Sequence, residues 1–145
     1  MSKSHQLAWA AGFIDGDGFI TIQCRNTTIK GKSYRGHYVR LGCCQASEVP
    51  LKELQRIFGG TIRIKNSGPN RENYNRKTQY IWNLSTQEAA NAIEQLLPYL
   101  VHKKEVALLA LEFQSTMGTY YKVPDDVLLR RLLLKDKVQT LNSLS

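Results

Sequence analysis

Residues 7–18 constrain the fold more than any other part of this chain, because they change from an apolar helix to a pair of carboxylates within a few positions. The apolar residues recur at helical spacing, and the stretch ends in Asp15, Asp17 and Gly18. The next residues, 19–25, alternate apolar and polar side chains as a strand does. The sequence therefore predicts a helix whose acidic end leads directly into a strand.

The same helix carries a stripe of small residues. Ala8, Gly12 and Gly16 are spaced by four, so they share one helix face. Glycine inside a helix costs roughly 1 kcal/mol relative to alanine, so its presence indicates a packing requirement. We expect another helix to approach this face closely, and a second copy of the same helix is a suitable neighbour.

The remaining pattern predicts an α+β fold of one domain. After a helix at 4–15 come strands at 19–25 and 37–45, joined by a polar turn at 26–36, and a short helix that ends at Gly59-Gly60. The pattern then recurs with strands at 61–65, where Ile62 and Ile64 point inward, and 79–85. Helices follow at 86–98, with a capping box of Ser85 and Glu88, and at 103–117 and 125–141. We expect an antiparallel four-stranded sheet with helices on its apolar face and a basic face left open.

Positive charge is concentrated in one part of the chain. The net charge is +8, and residues 25–77 hold 12 Lys and Arg against three Glu. This distribution is typical of a nucleic-acid-binding face, although a basic protein without a polyanionic partner is the alternative. A carboxylate beside such a face repels phosphate unless a divalent cation lies between them.

Several other classes of protein do not fit. No apolar run reaches the length of a membrane span, and the first residues lack the apolar core of a signal peptide. We therefore expect a soluble protein with no membrane partner, inside a cell, in an organelle or in a bacterial or phage-infected cytoplasm. Cys24, Cys43 and Cys44 have no paired spacing, which indicates buried free thiols.

The residues Ala-Ala-Gly-Phe-Ile-Asp-Gly-Asp-Gly at 10–18 resemble the motif that names the LAGLIDADG homing endonucleases. The predicted order of helices and strands is similar to the core of that family, and Leu-Pro-Tyr-Leu-Val-His-Lys-Lys at 97–104 resembles its segment before the long C-terminal helix. The resemblance implies an αββαββα core with a saddle-shaped four-stranded sheet and extra C-terminal helices. With one motif present, it implies a homodimer that cleaves a long pseudo-palindromic double-stranded DNA.

The resemblance also implies roles for individual residues. Asp17 is expected to be the metal-binding catalytic carboxylate, and the backbone carbonyl of Gly16 a further metal ligand. The ion is expected to be Mg²⁺, with Mn²⁺ or Ca²⁺ able to substitute in the site. Lys103 and Gln45 are expected to polarise the phosphate or order water, and Ala8, Gly12 and Gly16 to form the dimer interface.

Two features leave alternatives open. Asp15 is at least as well explained by fixing the end of the helix, since Asp-Gly pairs are common in turns. Some family members carry an arginine four residues after the glutamine, where this chain has Val49, so a third basic partner is absent or is supplied by Arg40 or Arg63.

The outward-facing strand positions are the candidates for contacts with bases, because arginine pairs with guanine and glutamine with adenine. They are Gln23, Arg25, Tyr38, Arg40, Arg63, Lys65, Gln79 and Ile81. The basic residues expected in loops are candidates for phosphate contacts: Lys30, Lys32, Arg35, Arg71, Arg76 and Lys77.

Three functions remain open at this level. The first is a Mg²⁺-dependent, site-specific DNA endonuclease. The second is a maturase that binds its intron RNA and assists group I intron splicing, and the third is a DNA-binding regulator without catalysis. The acidic pair together with Lys103 argues against the third.

Overall fold

The computed structural model describes residues 2–65, 78–118 and 122–144 and places five α-helices and four strands in those ranges. The elements, in chain order, are α1 (Lys3–Asp17), β1 (Gly18–Ile29), β2 (Lys32–Gln45), α2 (Val49–Phe58), β3 (Thr61–Lys65), β4 (Gln79–Ser85), α3 (Thr86–Leu96), α4 (Lys104–Ser115) and α5 (Asp125–Ser143). A 3-10 turn, Leu97–Tyr99, follows α3.

The four strands form one antiparallel sheet in the order β1-β2-β4-β3. Strand β1 pairs with β2 along its whole length, from Gly18 opposite Cys43 to Ile29 opposite Lys32. Strand β4 pairs with β2 on one side and with β3 on the other, so the second strand pair extends the first into a continuous surface.

The core lies between one face of this sheet and the helices. Alternate residues of β1, β2 and β4 are buried, as expected for strands with one covered face. Trp82 is fully buried at the centre, and its indole N–H donates to the Gly59 carbonyl at 2.8 Å. None of the helices in the described ranges has the length and apolar content that crossing a membrane requires.

The first hairpin is longer than the sequence predicted. Residues 26–36, predicted as a polar turn, are mostly strand, and the turn itself contains only Lys30 and Gly31. Both turn residues have positive φ, 51° and 79°, as a two-residue turn that matches the twist of its strands requires. Because the described side chains on both faces of this extension are exposed to solvent, the sequence there shows no apolar alternation from which the strands could have been predicted.

Two smaller expectations are wrong. Ile64 was predicted to face the core but is 62% exposed, since β3 is an edge strand and only Ile62 within it packs against the core. The capping box at α3 does not form, because the Ser85 side chain makes no capping hydrogen bond. Thr86 adopts a positive φ of 53° at this junction, where its hydroxyl donates to the Ser85 carbonyl instead.

Candidate active site and nucleic-acid interface

Helix α1 ends in an exposed carboxylate. Asp17 is its last residue, and Gly18 begins β1 directly. A side chain at Gly18 could not fit, because its Cβ would lie 2.8 Å from the Cα and Cδ1 atoms of Ile14. The glycine thus lets the strand leave the helix without a linker, and this holds Asp17 at a fixed place beside the sheet.

Two residues of β2 contact Asp17. The Gln45 side-chain amide donates to Asp17 Oδ2 at 3.1 Å, and the Cys43 thiol lies 3.5 Å from the Asp17 carbonyl oxygen, to which it donates. Burial raises the pKa of Cys43 to about 12, so this group remains a protonated donor at neutral pH. The pairing of Gly18 with Cys43 brings both contacts about, since it places the end of β2 beside the end of α1.

Asp15 anchors a different part of the chain. Its carboxylate accepts hydrogen bonds from the backbone N–H of Val101, at 2.7 Å, and of Lys103, at 2.9 Å. The Lys103 ammonium donates a hydrogen bond to the backbone carbonyl oxygen of Asp15 at 3.1 Å. These bonds support the anchoring role that the sequence left open for Asp15. They also bring Lys103 to the same helix end as Asp17 and Gln45.

The end of α1 suits a divalent cation. Asp17 Oδ1 accepts no hydrogen bond from the described residues, and oxygen ligands are those that Mg²⁺ prefers. The last four carbonyls of a helix lack intrahelical partners, and here Ile14, Asp15 and Asp17 each find another donor. The Gly16 carbonyl has no hydrogen-bond donor among the described residues. It lies at the negative end of the helix dipole. The predicted ligand pair therefore fits the ion.

One chain supplies only part of such a site. Within the described ranges, no three His, Cys, Asp or Glu side chains come together as a metal cluster. The remaining ligands would have to come from a second protein chain, from phosphate oxygens or from water. This fits the expected role of Asp17 as one carboxylate of a pair, which stays a prediction.

A stripe on α1 is open to receive a second helix. Ala8, Gly12 and Gly16 are exposed on one face, whereas Leu7, Ala10, Ala11 and Ile14 are buried on the other. A Cβ added at Gly12 or Gly16 would meet nothing within 4 Å. Nothing within the described part of this chain therefore requires glycine there, and the packing of two copies on this stripe stays a prediction.

The open face of the sheet carries the predicted base-contacting residues. Antiparallel partners point to the same side of a sheet, and the strand register pairs Gln23 with Tyr38, Arg63 with Ile81, and Lys65 with Gln79. Arg40 and Arg25 have the same parity along their strands, which is opposite to that of the buried residues. All eight candidates therefore share the uncovered face, hereafter the open sheet face.

The open sheet face also carries Phe19, which was not among the predicted contact residues. The Phe19 ring lies over Gly42, where an added Cβ would be 2.5 Å from Phe19 Cζ, and the Arg40 guanidinium lies 5.2 Å from the centre of the same ring. Phe19 stands two residues after Asp17, so it connects the acidic helix end to this face. Phe19 has an odd residue number, as Gln23 and Arg25 do, and odd-numbered residues of β1 lie on the open sheet face. This shared parity was the signal that could have identified it.

The predicted phosphate contacts need one correction. Lys30 lies in the hairpin turn, but Lys32 and Arg35 belong to β2 and not to a loop. Arg35 has the parity of the covered face, where its Nε donates to Cys24 Sγ at 3.0 Å. It therefore points away from the open sheet face, because the hairpin extends further than predicted. Three candidates lie outside the described residues and stay predictions: Arg71, Arg76 and Lys77.

The chain is similar to proteins of known activity. A model of the LAGLIDADG endonuclease family matches residues 10–112. The DNA endonuclease I-CvuI of Chlorella vulgaris is 32% identical over 139 residues, which cover 92% of this chain and 77% of that protein. A crystal structure of I-CvuI in complex with the I-CreI target in the presence of 2 mM Mg, with its DNA not cleaved, gives a TM-score of 0.77 at 28% identity, covering 95% of this chain and 82% of that one.

A more distant structure has the same fold. An archaeal intron-encoded homing endonuclease complexed with DNA gives a TM-score of 0.75 at 15% identity, over 97% of this chain and 86% of that one. These similarities confirm the predicted α+β architecture, with its curled antiparallel sheet and five helices. Because the family model spans most of the chain, including the acidic helix end, the chain belongs to the LAGLIDADG endonuclease family.

Proposed function

We propose that this chain is a site-specific DNA endonuclease that acts as a homodimer with divalent metal ions and cuts both strands of a long, pseudo-palindromic duplex. The observation that carries the proposal is the position of Asp17. Its exposed carboxylate lies at the end of α1, contacts Gln45 and immediately precedes β1, the first strand of the sheet. Relatives supply the substrate class, since I-CvuI has been crystallised with DNA in the presence of Mg and of Ca.

The residues at the helix end divide the work as follows. Asp17 and the Gly16 carbonyl would hold the cation, and Gln45 keeps the Asp17 carboxylate in one orientation through its amide hydrogen bond. The chemistry that a bound Mg²⁺ would supply is an activated water molecule and positive charge for the leaving oxygen of the scissile phosphate. Lys103, held against Asp15 at the same helix end, supplies positive charge for the phosphate.

The open sheet face positions the duplex. Its arginines, lysines and amides are donors for base edges and phosphate oxygens in the major groove. A twofold axis between two α1 helices would place one such sheet on each half-site, so the target has related halves. The positive charge of residues 25–77 predicts steep weakening of DNA binding with salt, because phosphate contacts release counterions.

A cleavage selection tests the proposal. The purified protein is incubated with a library of randomised duplexes in Mg²⁺, and the cut ends are captured and sequenced. We expect one recurring site with two related halves, and no cut ends when EDTA removes the metal. A folded protein that leaves the library uncut, or that cuts it without a recurring sequence, would overturn the proposal.

A further inference from the structure

The Gln23 side chain on the open sheet face has a fixed orientation. Its Oε1 atom accepts hydrogen bonds from Tyr38 Oη at 3.3 Å and from Arg40 Nη1 at 3.1 Å. A guanidinium can only donate hydrogen bonds, so the atom that contacts Arg40 has to be the oxygen of the amide and not its nitrogen. Two donors occupy the two acceptor sites of this oxygen. The exposed NH₂ group makes no hydrogen bond with the described residues and is left for a ligand.

Neighbouring side chains brace this arrangement. The Arg25 guanidinium lies 4.6 Å from the centre of the Tyr38 ring, and the Arg40 guanidinium lies over Phe19. Each cation is attracted to the face of its ring, and so Tyr38 and Arg40 are held on both sides of Gln23. The free groups of Gln23, Arg25 and Arg40 are all hydrogen-bond donors.

A donor-only glutamine cannot read adenine in the usual way. Bidentate recognition of adenine needs one donor and one acceptor from the amide, and here the acceptor is already used by Tyr38 and Arg40. In the major groove guanine presents two acceptors, N7 and O6, whereas thymine presents one beside its methyl group. We propose that Gln23 is a specificity-determining residue that selects guanine in each half of the DNA target. This inference rests on the proposed function.

The substitution Gln23→Glu reverses the group that faces the DNA. A carboxylate still accepts from Tyr38 and Arg40 through one oxygen, but it presents an acceptor where the glutamine presents NH₂. Glutamate pairs with the N4 amino group of cytosine. We therefore expect the preferred base at one symmetric pair of positions to change from guanine to cytosine, with a preference of roughly tenfold in each protein.

The experiment is a binding selection from randomised duplexes in Ca²⁺, followed by sequencing, for the wild type, Gln23→Glu and Gln79→Glu. Gln79 lies exposed on the same face and has no arginine on its amide oxygen among the described residues, so it controls for the added charge. We expect Gln79→Glu to weaken binding without the guanine-to-cytosine change. A second measurement replaces the selected guanine with 7-deazaguanine, which lacks N7, and should weaken wild-type binding about five- to tenfold.

The outcomes separate this inference from the proposed function. If the wild type yields a recurring site in which no guanine responds to Gln23→Glu, or 7-deazaguanine binds as well as guanine, the role of Gln23 is overturned and the endonuclease assignment stands. If the wild type yields no recurring site, the endonuclease assignment falls and this inference falls with it. Should Gln23→Glu fail to fold, the 7-deazaguanine measurement on the wild type decides.

Discussion

Asp15 and Lys103 hold each other through both backbone and side chain, although 88 residues of sequence separate them. The Asp15 carboxylate accepts the Lys103 backbone N–H at 2.9 Å, and the Lys103 ammonium donates to the Asp15 carbonyl at 3.1 Å. The segment before α4 is thereby fixed to the acidic end of α1. Asp15 thus fixes the position of Lys103, and we expect this to be its role in the proposed activity.

Replacing Asp15 should lower the stability of the protein and, separately, slow cleavage by releasing Lys103. Asp15→Ala leaves the backbone N–H groups of Val101 and Lys103 without their acceptor, and we expect the free energy of unfolding to fall by about 1–3 kcal/mol. At a temperature where the variant is folded, DNA binding should persist while single-turnover cleavage slows, because Lys103 is no longer held. Urea denaturation and single-turnover assays measure the two effects. Asp126→Ala, an exposed acid on α5, is the control, and an Asp15→Ala enzyme with wild-type cleavage would contradict the positioning role.

Replacing Asp17 tests the chemistry directly. Asp17→Asn keeps the shape and one oxygen to accept from Gln45, but it removes the charge that is proposed to hold the cation. We expect cleavage to fall about a thousandfold, since a bound metal supplies several kcal/mol of transition-state stabilisation. DNA affinity should change little. Gel-based cleavage and fluorescence anisotropy measure the two properties, with Asp126→Asn as the matched control. Unchanged cleavage would remove Asp17 from the active site.

A bulky residue at Gly12 should block assembly without harming the fold. The space beside Gly12 is open within the described part of the chain, and leucine favours a helix by up to about 1 kcal/mol over glycine. We expect the Gly12→Leu chain to unfold at a temperature no lower than that of the wild-type chain in its monomeric state. The variant should nevertheless sediment as a monomer and lose cleavage. Asn91→Leu, an exposed position on α3, controls for an added leucine. A Gly12→Leu protein that still sediments as a dimer would show that the stripe is not the interface.

The thiols should differ in reactivity and in their effect on stability at high pH. Burial raises the pKa of Cys43 from 9.0 to about 12. Cys24 is exposed, so the prediction of a buried thiol is wrong there, because the hairpin extends beyond the part of the sheet that the helices cover. A folded-state pKa above the unfolded value means that the contribution of Cys43 to stability is present below pH 9 and is lost as the pH rises toward 12. We expect a thiol reagent to modify Cys24 readily and Cys43 only after unfolding. The Cys43→Ser variant should show a smaller loss of stability between pH 9 and pH 11, and rapid labelling of native Cys43 would contradict its burial.

The sequence predicted those parts of the fold that have one covered face. Strands 61–65 and 79–85 were placed at the bounds that the structure shows, because apolar residues alternate along β4 and turn residues bound both strands. The tip of the first hairpin could not be predicted in the same way. The described side chains there are exposed on both faces, so no apolar period marks these strands. Only the hydrogen bonds between β1 and β2 make them strand.

The sequence by itself determined which chemical groups this protein has at its site: an acidic helix end, a lysine before α4, and a set of donors with one parity along the strands. The tertiary structure alone decided how those groups are paired. Strand register brought Gln45 to Asp17, chain packing brought Lys103 to Asp15, and Arg40 turned the Gln23 amide so that its oxygen faces the protein. The physical reason is that side-chain type and period are local properties of a sequence, whereas a hydrogen bond between distant residues depends on distances that exist only in the folded chain.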